Sequence, residues 1–427
     1  MEDYKKKIIY SKADNFGANF PISGRLQIIN SFKDLKNVKR GHILFLNGLK
    51  FNFDSLNIII NLINKGATSF ISTDISKTDH GCIAAKELGI NFYQVKRNIN
   101  KIFLYENKII TLKDCNIYYG KHNFKKPKIG LKKIDIKHSL KLNIGFPSNS
   151  IYKNFIKESD GVGFSRVEFL LSRILNNIHP HKYSEFVGIK IFTDEIANHI
   201  RPLLKTLKKQ NKEFWLRTDD FSAEQLVKME FGKSYEIEEK ISSTGYRGIR
   251  RSINDKKIIT PVLLALKKLC KEGYHNIGLF PPMTNSIFEY KKWLALLSNY
   301  NLTSLKKGLM VETPRSALMI EEFLKDIKFV IFGTNDLTSF LLAVDRNNLN
   351  IREMFNEFDS VVIKVIGDVI KKCKLNNIET YITGSIAENK NLLKKFFSYG
   401  LTGVTINPDV NSINKVKRII FDLEKEN

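Results

Sequence analysis

Residues Lys328–Asn348 read KFVIFGTNDLTSFLLAVDRNN, and this stretch decides the fold class. The run Phe329–Phe332 is short, apolar and rich in aromatic and β-branched residues, and it breaks into Gly333-Thr334-Asn335-Asp336. That pattern predicts a buried strand with a carboxamide and a carboxylate at its C-terminal end. An acid-base pair, Asp345-Arg346, follows shortly after. Side chains at a strand end are held tightly while their tips reach solvent, which is how α/β proteins build metal and phosphate sites.

The same rhythm of strand, loop and helix extends on both sides, from Leu142 to the C-terminus. Strands are predicted at Leu142–Phe146, Gly161–Phe169, Glu213–Leu216, Asn276–Phe280, Gly308–Val311, Phe329–Phe332, Thr380–Thr383 and Gly403–Ile406. Helices fall between them at Asp194–Gln210, Pro261–Glu272, Ser286–Ser298, Arg315–Leu324, Ser360–Cys373 and Asn389–Tyr399. Such alternation predicts an α/β protein with a C-terminal (β/α)8 TIM barrel over residues 141–427. A doubly wound open sheet is the competing architecture, but the glycine-rich fingerprint it uses for a dinucleotide is absent.

Upstream, strands are expected at Arg25–Asn30, His42–Leu46 and Ala67–Ser72, with helices at Asp54–Asn64 and His80–Leu88, the second capped by Gly89. Ile102–Tyr105 and Lys108–Leu112 flank Glu106-Asn107 and are expected to form a hairpin. Residues 1–115 thus read as a small α/β domain, and the basic stretch 116–140 as a linker.

A chain of 427 residues is long enough for more than one compact core, and 43% hydrophobic with 26% charged residues describes a globular protein. No run of about 18 apolar residues is present, so no membrane span is expected. The N-terminus MEDYKKKIIYSKADNF has no signal-peptide pattern, and a cytoplasmic location is expected. Cys82, Cys115, Cys270 and Cys373 are scattered, without a C-x-x-C pair, which argues against a zinc or disulfide framework. The net charge of +25 is spread along the whole chain and its densest run, Lys121–Lys141, has little aromatic interleaving, so nucleic acid is not the expected partner. Anionic small molecules fit the charge.

The chemistry-bearing residues fall at successive strand ends. Arg217 follows Phe214-Trp215-Leu216, with Asp219 and Asp220 just beyond. Arg247 lies between glycines in Gly245-Tyr246-Arg247-Gly248, which lets backbone or ligand approach closely. Glu312 follows Gly308–Val311; Asn335, Asp336 and then Arg346 follow Phe329–Phe332. Glu312 and Asp336 are separated hard oxygen donors suited to Mg²⁺ or Mn²⁺. The three arginines are bidentate donors for phosphate and carboxylate. A small, doubly anionic substrate chelated to a divalent cation would use them all.

The segments DGVGFSRVEFLL (Asp160–Leu171), RTDDF, GYRGIRR, VETPRSAL (Val311–Leu318), GTNDLTSFLLAVDRNN and INPD (Ile406–Asp409) stand in the order found in the phosphoenolpyruvate-utilising enzymes. The chain resembles that family, which includes phosphoenolpyruvate synthase, pyruvate phosphate dikinase and enzyme I of the sugar phosphotransferase system. Upstream, Gly24–Leu46 followed by Gly66–Ile90 resembles the family's swivelling phosphohistidine domain, the family's histidine motif falls on Thr78–Ile90, and His80 matches its phosphoryl-carrying histidine. The resemblance implies a phosphotransferase in which Glu312 and Asp336 ligate Mg²⁺, and Arg217, Arg247 and Arg346 hold the phosphate and carboxylate of phosphoenolpyruvate or pyruvate. Asn335 would donate to the phosphoryl oxygens, and His80 would exchange its phosphoryl group with the enolate oxygen. A homodimer formed through the barrel is also implied.

Three departures from the family pattern bear on the reaction. Only residues 1–20 precede the histidine domain, so the expected phosphoryl partner is a separate ATP-grasp or phosphocarrier protein. Thr383, in Tyr381-Ile382-Thr383-Gly384-Ser385, occupies the place of the family's proton-donating cysteine, and a hydroxyl is a much weaker acid than a thiol. Ile75-Ser76 replace a glycine pair ahead of His80, with Asp79 beside it. A regulatory protein that binds phosphoenolpyruvate without catalysis, or a Mg²⁺-dependent enolate-forming lyase, are the competing readings.

Overall fold

The computed structural model describes residues 7–426 apart from 18–20, 50–54, 76–79, 89, 97–98, 125–129, 148–151, 240–242, 347 and 349. The chain divides into two compact units, Met1–Ile129 with Leu175–Asn177, and Gly130–Ile174 with Ile178–Asn427.

The first unit is built on an eight-stranded sheet: β1 (Ile8–Tyr10), β2 (Asp14–Asn15), β3 (Ile22–Ile29), β4 (His42–Leu46), β5 (Ser69–Ser72), β6 (Asn91–Gln94), β7 (Ile109–Lys113) and β8 (Asn116–Tyr119). Their spatial order is β1-β8-β7-β3-β4-β5-β6-β2, with β3 to β6 parallel and the flanking pairs antiparallel. Alternate residues of the central strands enter two separate cores. Ile43 and Phe45 pack with Leu26, Ile71 and Ile110, whereas Leu44 and Leu46 pack with Ile59, Phe70 and Phe92. Both faces of the sheet are therefore covered, which is why these strands are apolar throughout rather than alternating. The basic stretch 116–140 begins with β8, the strand that lies between β7 and β1.

The expected strand Ile102–Tyr105 is instead a helical turn, Asn100–Phe103, with Ile102 buried, so the hairpin at Glu106-Asn107 does not form. A four-residue apolar run is too short to separate strand from helix by its period. The hairpin lies further on: Lys113 pairs with Asn116 across Asp114-Cys115, both of which have positive φ (47° and 61°). Two residues of positive φ form the tight turn whose twist matches paired strands.

The second unit is a closed parallel barrel. Its strands are β9 (Ser139–Ile144), β10 (Gly161–Arg166), β11 (Glu213–Arg217), β12 (Ile277–Phe280), β13 (Lys306–Val311), β14 (Phe329–Phe332), β15 (Glu379–Ile382) and β16 (Gly403–Ile406), with β16 pairing back to β9. The predicted strand Gly161–Phe169 is shorter than expected, because the chain passes directly into the helix Val167–Leu175. No glycine or proline marks that switch.

The barrel interior is filled by Phe164, Trp215, Phe280, Met310, Phe329, Ile331 and Tyr381. Trp215 stacks on Phe329 with ring centroids 4.1 Å apart, in space left by a missing side chain: a Cβ on Gly278 would lie 2.2 Å from the indole. Beneath this layer, at the N-terminal ends of the strands, Lys141 lies 3.3 Å from Glu213 and 3.6 Å from Glu379, with its ammonium over the Tyr381 ring. Lys306 and the Trp215 indole N–H also bind Glu213. These groups hold the Glu213 carboxyl down at about 2, against the upward push of its burial. The barrel is thus a filled core closed by charges at one end, and its other end is left for chemistry. Among the described residues no helix is long and apolar enough to cross a membrane, and all four cysteines are free.

Candidate active site

The barrel residues singled out from the sequence lie at the C-terminal ends of strands or in the connections that follow them. Arg217 ends β11, and Glu312 follows β13. Asn335 and Asp336 lie in the first turn of the helix Thr334–Leu342 after β14, and Thr383 follows β15. Arg247 precedes the helix Ile249–Asn254, and Arg346 follows Thr334–Leu342.

Asp220 joins two of the arginines. Its carboxylate accepts from Arg247 Nε at 3.0 Å and Nη2 at 2.7 Å, a fork-on-carboxylate pair, and lies 3.1 Å from Arg217 Nη2. Arg217 also donates to Glu168, from the helix Val167–Leu175, and its guanidinium lies over the Phe164 ring. Arg217, Asp220 and Glu168 are 6%, 5% and 3% exposed, so the cluster is a buried ion network rather than a solvated rim. Burial lowers the basicity of both arginines, but the carboxylates outweigh it. Glu168, Asp220 and Glu312 hold Arg217 above its ordinary range, and Asp220, Asp336 and Glu312 do the same for Arg247. Arg217 Nε and Glu168 Oε2 are buried without hydrogen-bond partners among the described residues. Unpaired buried groups of that kind are costly, and they suit a surface that meets a polar ligand or water.

Glu312 is 1% exposed. Its Oε1 accepts the Met283 N–H at 2.5 Å, and its Oε2 lies 2.8 Å from where a Cβ on Gly333 would stand. Only glycine at 333 leaves room for this carboxylate. Burial, then Asp336 and Asp220, push the Glu312 carboxyl up to about 8, against Arg217 and the Met283 N–H. Two carboxylates that penalise each other's charge, with hard oxygen donors, fit a divalent cation between them. Among the described residues no group of three or more His, Cys, Asp or Glu side chains is arranged to hold a metal ion. Glu312 and Asp336 could hold Mg²⁺ only with substrate oxygens or water completing its shell, as is usual for this ion.

The loop carrying Arg247 is braced from below. Arg251 donates to both Glu236 oxygens (2.7 and 2.9 Å) and to the Tyr246 carbonyl (2.9 Å), while Glu236 also lies 3.3 Å from the buried His179. The Glu239 carboxylate accepts the Tyr246 N–H at 2.9 Å. Gly248, at φ +60°, approaches so closely that a Cβ would lie 2.8 Å from the Pro282 carbonyl. That contact, with the Ile249 N–H to Pro282 hydrogen bond of 2.9 Å, ties the Arg247 loop to the Pro282-Met283 segment that holds Glu312. Close approach is therefore what the Gly248 of Gly-Tyr-Arg-Gly provides. The neighbouring Asp219, hydrogen-bonded by Ser252 at 3.1 Å, is pushed up to about 7 by burial.

Sequence reasoning missed Arg166, Glu168 and the bridging role of Asp220. Arg166, at the end of β10 in register with Arg217, donates to Asn143 at 3.0 Å and lies 4.1 Å over the Phe164 ring. It is a fourth arginine at the same end of the barrel. Its signal was available in DGVGFSRVEFLL but was hidden inside what reads as one long strand. Arg346 is half-buried, and its Nη1 is buried without a partner among the described residues. Thr383 is half-buried at the same end. Asn335 and Asp336 are likewise half-buried. His80 opens the helix His80–Glu87 of the first unit, and its side chain lies outside the described residues, as does the Gly89 cap.

Residues 123–424 match the family model described as the PEP-binding domain of PEP-utilising enzymes. The chain belongs to the phosphoenolpyruvate-utilising enzymes. It is 30% identical to a probable phosphoenolpyruvate synthase of Archaeoglobus fulgidus over 416 residues, covering 94% of this chain and 53% of the relative. It is 26% identical to the phosphoenolpyruvate synthase of Pyrococcus furiosus, covering 95% and 50%, and 24% identical to that of Pseudomonas aeruginosa, covering 91% and 52%. The chain spans about half the length of the curated relatives it matches. The match reaches upstream of the barrel, since more than nine-tenths of the chain aligns with each of these phosphoenolpyruvate synthases.

Proposed function

We propose that this member of the phosphoenolpyruvate-utilising family is a Mg²⁺-dependent phosphotransferase acting on phosphoenolpyruvate, pyruvate or a related small acid. Glu312 and Asp336 hold the cation, which supplies positive charge against the phosphoryl and carboxylate oxygens when bound. Arg166, Arg217, Arg247 and Arg346 hold the two anionic groups of the substrate, and Asn335 donates to phosphoryl oxygen. His80 carries the phosphoryl group in the first unit, where the start of a helix favours phosphate. The donor or acceptor on the other side of His80 is a nucleotide-grasping or phosphocarrier module outside residues 1–427.

The observation that carries this reading is the buried pairing of Arg217 and Arg247 on Asp220 beside Glu312. Phosphoryl transfer is catalysed mostly by fixed charges aimed at the transferring group, and a network that orients two guanidinium forks before substrate arrives supplies that. Thr383 in the place of a thiol favours a second reading, a protein that captures phosphoenolpyruvate and Mg²⁺ without turning it over.

The test is incubation with Mg²⁺ and phosphoenolpyruvate labelled with ³²P. Acid-labile protein label that disappears in His80→Ala, with pyruvate released, is the expected result. Saturable binding with neither label nor pyruvate would move the assignment to the second reading. Pyruvate release without label would move it to a lyase or hydrolase.

A further inference from the structure

The loop after β15 has no thiol, but it has a hydroxyl set on a carboxylate. Ser385 Oγ donates to Glu357 Oε2, and Thr334 Oγ1 donates to Glu357 Oε1 at 2.6 Å. Glu357 therefore bridges two adjacent strand ends, the turn that begins Thr334-Asn335-Asp336 and the loop Thr383-Gly384-Ser385. Gly384, at φ +78°, lets the loop press onto that turn, since a Cβ there would lie 3.1 Å from Thr334 Oγ1 and 3.5 Å from Glu357 Oε1. The segment holding Glu357 is fixed just beyond it, where the Asp359 side chain caps the helix Ser360–Leu375 by accepting the Val361 N–H at 2.9 Å. Ser385 is exposed although it is hydrogen-bonded to this carboxylate.

A hydroxyl whose proton is already directed at a carboxylate can take a proton on its oxygen and give up its own in the same step. We propose that Ser385 is the proton-transfer group at the terminal carbon of the bound acid, and that Glu357 is the carboxylate behind it, in place of the family's thiol. This rests on the pyruvate and phosphoenolpyruvate reading above. In the direction from pyruvate, a methyl C–H bond breaks and its proton passes to Ser385 Oγ. The Ser385 O–H proton passes to Glu357 Oε2. The electron pair of the broken C–H bond becomes the carbon–carbon double bond, and the carbonyl pair moves to oxygen as the enolate, where the arginines are the countercharges. In reverse, the proton returns from Glu357 through Ser385 to carbon. No oxidant, reductant or further reactant is required. Glu357 acts through Ser385 and is a positioning and proton-accepting residue. It also holds the Asn335-Asp336 turn against the Thr383 loop.

The experiment follows exchange of pyruvate methyl protons for deuterium in D₂O by proton NMR, with the full chain and Mg²⁺, while calorimetry measures pyruvate affinity of each variant. The wild type is expected to exchange. Ser385→Ala and Glu357→Gln are each expected to slow exchange about 100-fold, the middle of the range for general acid–base groups, and Ser385→Ala is expected to keep pyruvate affinity within about twofold. Ser385→Cys, which keeps a transferable proton, is expected to retain exchange. Ser385→Ala exchanging at the wild-type rate, or a wild type that binds pyruvate and does not exchange, overturns the proposal. Absence of pyruvate binding overturns the substrate reading, and the relay with it.

Discussion

The proposed cation site should take up its metal with release of a proton from Glu312. Its carboxyl is buried, faces the charges of Asp336 and Asp220, and is pushed up to about 8 despite Arg217 and the Met283 N–H. A carboxyl at about 8 is roughly nine-tenths protonated at pH 7, and a divalent cation binds only its ionised form. Loading the site at pH 7 should therefore release about 0.9 proton, falling to about 0.1 at pH 9. The apparent affinity should rise about ninefold from pH 6 to pH 7, about fivefold from pH 7 to pH 8, and only about twofold beyond. Mn²⁺ serves as the probe because its binding is read directly from water-proton relaxation without substrate. Calorimetry in buffers of different ionisation enthalpy counts the protons. In Glu312→Gln the proton release and the pH dependence should both vanish, with weaker binding throughout. Mn²⁺ affinity that stays flat from pH 6 to pH 9, with no proton released, would show that Glu312 is not a ligand or is ionised before the cation arrives.

Gly333→Ala places a methyl group 2.7 Å from Glu312 Cβ, so it should displace that carboxylate, weaken Mn²⁺ binding and cost about 1–3 kcal/mol in urea denaturation. Arg251→Gln removes the fork that holds Glu236 beneath the Arg247 loop, and should weaken phosphoenolpyruvate binding about tenfold in calorimetry, because a misplaced guanidinium loses its bidentate geometry. Glu213 is held at about 2, below its ordinary value, chiefly by Lys141 and Lys306 against its burial. Its contribution is full above the unfolded carboxyl range and is lost as pH falls through about 2. Glu213→Gln should therefore remove roughly 2–3 kcal/mol of stability at neutral pH and flatten the acid limb of a stability–pH profile.

Much of the barrel was legible because each strand is a short apolar run ending in polar residues, a pattern with one structural solution when it repeats with intervening helices. Phe329–Phe332 and Glu213–Leu216 were readable for that reason. Arg166 was not, because the chain turns from strand to helix between Arg166 and Val167 with no glycine or proline to mark the switch. Asp220 could be seen beside Arg217, but its role as the joint between Arg217 and Arg247 depends on a loop that returns 27 residues later. Glu357 lies in the aperiodic segment after Thr334–Leu342, and its hydrogen bonds to Thr334 and Ser385 are long-range contacts with no local signature. Ile102–Tyr105 failed for a different reason: a four-residue apolar run satisfies strand and helix alike.

The C-terminal mouth of the barrel is proposed to bind a dianionic acid together with a divalent cation. Calorimetric titration of phosphoenolpyruvate into the full chain, with and without Mg²⁺, and into Asp336→Asn, tests this most directly. Saturable binding that requires Mg²⁺ and weakens by at least about tenfold in Asp336→Asn is the predicted result, since loss of a direct ligand should cost no less than loss of an outer-shell partner. Equal binding in the absence of Mg²⁺ and in Asp336→Asn, or no binding at all, would contradict it.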